Sequence, residues 1–450
     1  MTAKYRTRLC VLALVLTACA PPTVAGSPSP TVAPSQSASP SAPRGLTAPV
    51  PIESIGPRRH WYAIPDGFVP PAPSVDEDGY AQILVRFTGD PRPGSPIARF
   101  SPVGQDVPLV AIGTAPNFYG AVLPLKGAPA GRYTAEIIEH LTSGREARVG
   151  QTSFMVTQPE YVVWTLDFEG DASGDAELAN TAAIADGLKI PMTVFWNPRA
   201  WTTTQVSAER QDAMLAWTKG RLAKGDEVAL HLHLWTDYVR AVGLVPRLAP
   251  SWAGRGDGYD VPMTAYPENE QQAMIGYGVK LMVQHGLPAP TSFRAGGDIG
   301  DAATLRAVAA SGFNADCTAV AKDYPPIGRV PYPWTLPPGA QPYQPSRTDA
   351  NATGDLPLLE APTIGGNTYA FTVQSIQPQI RANLALFAPP GAVANERKAI
   401  TVVSHPGTIG PGERAAIEAL LGAFGPLRYD ADAGPVRFVT LAQLAKAYGR

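Results

Sequence analysis

Glu160-Tyr-Val-Val-Trp-Thr-Leu-Asp-Phe-Glu-Gly-Asp171 is a near-continuous apolar run that ends abruptly in carboxylates. A strand that is apolar at successive positions, not alternate ones, is buried on both faces, as in a parallel sheet covered by helices. The chain beyond it keeps that rhythm. Ala176 to Leu188 has helical spacing, Met192-Thr-Val-Phe-Trp196 is a second apolar run, and Ser207 to Leu222 is helical again. Asp226-Glu-Val-Ala-Leu230 reads as the next strand. Strand–helix pairs recur at Ser292 with Ala302–Ser311 and at Ala399–Val403 with Glu413–Phe424, and Val436 to Thr440 precedes a short terminal helix. Such units over residues 158–450 predict an α/β domain on a parallel sheet or barrel. Two stretches interrupt it, 237–266 and the Pro-rich 323–366. Loops of that length in a compact domain more often line a site than merely connect elements.

Upstream the period changes. Tyr80 to Thr88, Phe118 to Leu125 and Tyr133 to His140 alternate apolar and polar residues between turn signals. About seven such strands in about 100 residues predict an all-β, immunoglobulin-like sandwich over residues 58–157. Ala20 to Pro43 is almost wholly Pro, Ser, Thr and Ala, with no aromatic. That composition cannot bury a core, so residues 19–57 are expected to form a disordered, semi-rigid stalk. Before it stand Lys4, Arg6 and Arg8, the apolar Leu9 to Leu16, and Leu16-Thr-Ala-Cys19. The apolar run is well short of the ~20 residues that span a bilayer, and the pattern is that of an export signal, residues 1–18. Leu-Thr-Ala-Cys resembles a bacterial lipobox. The resemblance implies a lipid on Cys19 and a protein held at the cell membrane, facing outside the cytoplasm. Cys10 would leave with the signal and Cys317 would remain a lone thiol, so stability must come from packing.

The 36 Lys and Arg against 38 Asp and Glu, net −2, exclude a basic nucleic-acid footprint. No heptad seam or internal repeat suggests an oligomer, so a monomer is expected.

The residues that carry chemistry stand at strand ends. Asp167 and Glu169 follow the first strand, His231 and His233 end the strand that begins at Glu227, Arg294 lies in Ser292-Phe-Arg-Ala-Gly296, and His405 follows Thr401-Val-Val-Ser404. In an extended segment positions i and i+2 face the same way, so His231 and His233 can meet one metal ion. Two carboxylates, a histidine pair, an arginine and a third histidine at the ends of four strands suit a hydrolytic metal site at the C-terminal edge of a parallel sheet. His60, His140 and His285 stand apart and read as structural. Trp196, Trp235 and Trp334 are candidates to stack on sugar rings, or else core residues.

Thr165-Leu-Asp-Phe-Glu169, Gly225-Asp-Glu-Val-Ala-Leu-His-Leu-His233, Ser292-Phe-Arg-Ala-Gly296 and Thr401-Val-Val-Ser-His405 together resemble, in order and spacing, the polysaccharide deacetylase (NodB-like carbohydrate esterase) family. The resemblance covers about residues 160–445. It implies a distorted (β/α) barrel and metal-dependent removal of acetyl groups from amino sugars of a polysaccharide or peptidoglycan-like substrate. It also implies Asp167 as base, Glu169, His231 and His233 as ligands of a divalent metal such as Zn²⁺, Arg294 as orienter of the base, and His405 as general acid. Phe168 stands where the family commonly has a second Asp, which moves the acidic ligand to Glu169. Trp235 stands where its second His commonly falls, so the chain is similar to the His-x-His branch. Two other readings remain: a non-catalytic, wall-binding lipoprotein on a decayed barrel, and a metal hydrolase of phosphoesters. The second lacks a Gly-Lys-Ser/Thr loop or an Arg cluster.

Overall fold

The computed structural model describes residues 47–67, 79–91, 94–325, 328–369 and 371–450. The expected export signal, Cys19 and most of the expected stalk lie outside the described residues.

Nine strands come first among the described residues: Ile52–Pro57 (β1), Trp61–Ala63 (β2), Tyr80–Phe87 (β3), Ile97–Ser101 (β4), Gln105–Pro108 (β5), Val110–Ala111 (β6), Phe118–Pro124 (β7), Gly131–His140 (β8) and Glu146–Thr157 (β9). They form two sheets, ordered β1-β3-β7-β6 and β2-β9-β8-β4-β5. The alternation along β3 and β8 sends Ala81, Ile83 and Val85 from one sheet, and Tyr133, Ala135 and Ile137 from the other, into a shared core. Residues 52–57, expected to belong to the stalk, are instead a strand. Ile52–Pro57 pairs antiparallel with β3, and the Val50 amide already donates to Glu139 at 2.9 Å. Apolar Ile52 and Ile55 sit among polar and turn residues, which hid the strand.

Gln158 and Pro159 alone separate these sheets from Glu160–Asp167 (β10). The α/β part continues with Asp175–Leu188 (α1), Thr193–Trp196 (β11), Ala208–Leu222 (α2), Glu227–Leu232 (β12), Thr236–Val242 (α3), Glu268–Gln284 (α4), Ser292–Ala295 (β13), Ala302–Ala310 (α5), Ala315–Asp316 (β14), Leu359–Glu360 (β15), Gln377–Leu386 (α6), Lys398–Ser404 (β16), Pro411–Gly422 (α7), Val436–Phe438 (β17) and Leu441–Ala447 (α8). The strands form one curled parallel sheet, β15-β14-β13-β12-β11-β10-β16, with β17 beside β10. The segment after β15 turns along β16, where Gly365 donates to Thr401 O and Thr368 to Val403 O at 2.8 Å each.

All eight residues of β10 are buried, and their parity separates two cores. Val162, Trp164 and Leu166 meet the helices. Tyr161 and Val163 point inside the curl with Phe195, Ala229 and Ala399, and α8 plugs the bottom through Leu441 and Leu444. The same parity carries Thr165 and Asp167 inward, and carries His231 inward from Ala229. Sequence reasoning missed β14 and β15, which are too short to show a period, and α3 and α6, which lie in or beside stretches read as loop.

Candidate active site

The interior positions meet at the C-terminal edge of β10, β12, β13 and β16. Parallel register sets His231 directly beside Arg294. Arg294 is fully buried and uses all five of its donors. Nε reaches Cys317 O at 2.9 Å; Nη1 reaches Thr165 Oγ1 at 2.9 Å and Asp167 Oδ1 at 2.7 Å; Nη2 reaches Cys317 Sγ at 2.8 Å and Thr363 Oγ1 at 3.1 Å. Burial works against its charge, but Asp167, Cys317 and Asp298 together outweigh it and lift the guanidinium pKa beyond the ordinary arginine range. The lone cysteine, Cys317, is buried and accepts one of these bonds.

Glu169 sits on the turn past β10. Its Oε2 lies 2.6 Å from His233 Nε2 and 3.9 Å from His231 Nε2, and its Oε1 lies 3.4 Å from His405 Nε2. Burial favours the neutral acid, yet His233, by charge and by hydrogen bond, and the nearby His231 hold the carboxyl well below the usual range. His233 is pulled down by burial and pushed up more strongly by Glu169. Thus the structure brings Glu169, His231 and His233 together, with one ligand atom from each mutually within 4.8 Å, and likewise Asp167, Glu169 and His405.

The donor set fits a divalent cation. His231 Nδ1 lies 3.1 Å from the carbonyl oxygen of Arg294, which can only accept, so Nδ1 carries the proton. Nε2 is then a bare lone pair; it is buried and makes no hydrogen bond. An orphaned imidazole nitrogen beside a carboxylate and a second imidazole, its ring oriented by a backbone carbonyl, is what a Zn²⁺-type ion takes. Gly296 completes the cradle, because a Cβ there would stand 2.7 Å from His233 Cγ.

Residues not singled out in the sequence hold the turn in place. Arg199, 1% exposed, donates through Nη1 to Gly170 O at 2.8 Å and through Nε to Asp237 Oδ1 at 2.9 Å. Gly170 has φ +79°, and a Cβ there would stand 2.8 Å from Arg199 Cβ. Both long connections reach the site. The first supplies Trp252, whose ring lies 5.9 Å from His233; the second supplies Trp334, whose indole N–H donates to Asp298 O at 2.8 Å. The signals for these were faint: a Gly-Gly-Asp turn after β13, and single tryptophans without a period.

Two of the three tryptophans considered for sugar stacking are core residues. Trp196 is 1% exposed, packed between Phe168 and Trp201, and Trp334 is buried on Asp298. Trp235 is half-buried, with Arg199 over its ring at 4.6 Å. His285 caps α4 and stacks on Trp201 at 4.0 Å, away from the site.

No family model and no curated protein matches the chain. Solved structures do. A candidate polysaccharide deacetylase from Mycobacterium smegmatis is 16% identical over 64% of this chain and 89% of its own, with a TM-score of 0.40. A family 4 carbohydrate esterase from Streptomyces lividans, in complex with acetate, is 10% identical over 60% and 89%, with a TM-score of 0.32. A family 4 acetyl xylan esterase from Clostridium thermocellum, in complex with a cobalt ion, is 12% identical over 63% and 89%, with a TM-score of 0.32. At such identities and TM-scores these likenesses carry nothing about chemistry, which rests on the side chains themselves.

Proposed function

We propose that the chain is a metal-dependent hydrolase of the deacetylase type, removing acetyl groups from an amino-sugar polysaccharide of the cell envelope. The observation that carries the reading is the orphaned Nε2 of His231, aimed at Glu169 and His233 beside an Asp167 held by Arg294. Held by Glu169, His231 and His233, a divalent metal such as Zn²⁺ would supply Lewis acidity for the attacking water and the acetyl oxygen.

Asp167 gives one carboxylate oxygen to Arg294, which leaves the other to take the proton of the attacking water. Arg294 holds that carboxylate turned towards the ligand cluster. Water oxygen adds to the acetyl carbon, and the carbon–nitrogen bond breaks. The departing amine takes a proton from His405, whose Nε2 faces Glu169, and acetate and a free amino sugar leave. In this reading residues 158–450 are the catalytic domain, of the His-x-His branch. The immunoglobulin-like part, residues 58–157, carries no catalytic group, and lipidated Cys19 anchors a monomer at the membrane.

The test is acetate release from an oligomer of N-acetylglucosamine by the Zn²⁺-loaded full chain, beside His231→Ala. The variant should lose both metal and turnover. Stoichiometric metal in it, or no acetate from the metal-loaded wild type, would overturn the reading.

A further inference from the structure

Behind Arg294 stands a pair of buried carboxyls that the proposed chemistry does not use. Asp316 and Glu360 are direct neighbours in the parallel register of β14 and β15, and both are fully buried. Ala315, Cys317, Leu359 and Ala361 point inside the curl, so parity turns Asp316 and Glu360 away from that interior. One oxygen of each is satisfied by the chain just past β14. The Thr318 amide donates to Asp316 Oδ1 at 2.7 Å, and the Ala319 amide to Glu360 Oε1 at 2.9 Å. The other two oxygens, Asp316 Oδ2 and Glu360 Oε2, are buried and among the described residues receive nothing from a neighbouring N–H or hydroxyl. Yet a hydrogen bond joins the two side chains to each other. Ionised carboxylates only accept, so that bond requires a proton on one of them.

What the pair holds is the cradle of Arg294. Thr318 Oγ1 accepts from the Ala295 amide at 3.0 Å, and Ala319 O accepts from the Thr363 amide at 2.7 Å. Cys317, between Asp316 and Thr318, offers its carbonyl and its sulfur to Arg294, and Thr363 offers its hydroxyl. Three of the five Arg294 bonds therefore end on residues that the acid pair fixes from outside the curl.

Two bare carboxylates in contact at zero exposure repel each other with no water to screen them, whereas an acid donating to a carboxylate satisfies both free oxygens and leaves one charge. We infer that Asp316 and Glu360 share one proton and are positioning residues for the base: the protonated pair fixes Thr318 and Ala319, and through Cys317 and Thr363 the Arg294 that holds Asp167, and turnover falls when the proton leaves. The link to turnover rests on the deacetylase reading; the shared proton does not. Burial and the Asp316 charge raise the Glu360 carboxyl well above the ordinary range, so Glu360 carries the proton. Burial raises Asp316 as well, against the hydrogen bonds it accepts from Thr318 and Glu360. The titratable groups that face the pair are Arg294 from β13, Cys317 from β14 and Tyr343 from the long connection. Arg294 favours ionisation, but its five donors are spent inside the curl. Burial pushes the Cys317 thiol up to about 11 and the Tyr343 hydroxyl higher than its ordinary value, so neither competes for the proton near neutrality.

The experiment uses the Zn²⁺-loaded full chain between about pH 7 and 10, a range above the ordinary carboxylate values. Infrared spectra read the C=O stretch of protonated buried carboxyls, and kcat and KM are measured for acetate release from an N-acetylglucosamine oligomer. Glu360→Gln keeps a donor at every pH, because its amide N–H replaces the acid O–H. At the neutral end the wild type should show one protonated carboxyl more than Glu360→Gln, and should lose it at the alkaline end. The two kcat values should agree at the neutral end, and the ratio of variant to wild type should rise at least about tenfold across the range. The titration of His405 cancels from that ratio. Glu360→Ala removes the donor, and at the neutral end should lower kcat at least about tenfold with KM and Zn²⁺ content unchanged. Asp316→Asn, donating from the other side, should repeat the result of Glu360→Gln if that variant does not fold. Equal carboxyl bands in wild type and Glu360→Gln, or a kcat ratio flat across the range, would overturn the inference. If the wild type releases no acetate, the hydrolase reading falls and the spectra alone decide. One band missing in Glu360→Gln keeps the shared proton; equal bands remove it.

Discussion

The pair of Asp167 and Arg294 can be dissected by a double-variant cycle. Arg294→Met deletes five hydrogen bonds and leaves Asp167, 5% exposed, without a cation. Breaking a buried ion pair from one side costs about 3–5 kcal/mol, most of it the uncompensated charge left behind. Asp167→Asn retains an acceptor for Nη1 but leaves the guanidinium charge unbalanced, at a similar cost. If the charges are the reason for each loss, the double variant strands none. It should then sit near the less stable single variant, with a coupling of at least about 2 kcal/mol. The assay is urea denaturation at neutral pH, followed by the fluorescence of the buried Trp164 and Trp196. Metal content and acetate release are measured on the same samples. Neither residue is a proposed ligand, so all three variants should keep stoichiometric Zn²⁺ while turnover falls by about 10²-fold or more. Additive costs near 6–10 kcal/mol would refute the reasoning. They would mean that Arg294 stabilises the barrel through Cys317, Thr165 and Thr363, with Asp167 incidental.

Other outcomes follow from single contacts. Gly296→Ala should weaken Zn²⁺ binding about tenfold or more through His233 while leaving the backbone unstrained, because Gly296 is not at positive φ; unchanged affinity by competition with a chelator would contradict the cradle. Glu160 is 1% exposed, accepts from the Ala388 amide at 3.0 Å, and is pushed by burial to about 7. A folded-state value raised above the unfolded one gives stability that is complete below pH ~4.3 and is lost as pH rises through 7, by about 3 kcal/mol at most. Glu160→Gln should remove that decline between mildly acidic and mildly alkaline urea titrations, and a decline of equal size in the variant would refute it. A chain beginning at Gln158 should be several kcal/mol less stable than the full chain, read as a lower urea midpoint, although it retains every proposed catalytic group.

The legible parts of this protein are those in which period and position agree. Tyr161 to Leu166 disclosed a strand covered on both faces because the run is apolar at all but Thr165, and strand parity then aimed Asp167, His231 and Arg294 at one interior. What stayed hidden has no period. Trp252 and Trp334 reach the site from two irregular segments, and only tertiary contacts make them its neighbours. Arg199 carries no signal in the sequence, yet it is buried because Gly170 O, Asp237, Thr203 and Gln205 accept from all three of its guanidinium nitrogens. Trp196 was open to two readings, a ring for sugar or a core residue, and parity decides for the core by sending it outward against Phe168 and the helices.

Composition also hid the seam between the all-β sheets and the curled sheet. Asp432, at φ +55°, accepts from the amides of His60 and Trp61 at 2.9 Å each, so a turn before β17 caps the start of β2. Partial burial raises the Asp432 carboxyl, and the two amides together with the His60 ring and Arg59 outweigh it, holding the group below its usual pKa. At the other end the Ala394 amide donates to Thr157 Oγ1 at 2.8 Å and Gln158 N to Ala394 O at 2.9 Å. The Tyr161 hydroxyl donates a hydrogen bond to Asp66. Each of these contacts fixes β10 from the side opposite its catalytic end. A shift at Tyr161 would be transmitted along a rigid, fully buried strand to Asp167, six residues on. The all-β part can therefore contribute to turnover by holding the base in register, without placing one atom in the site.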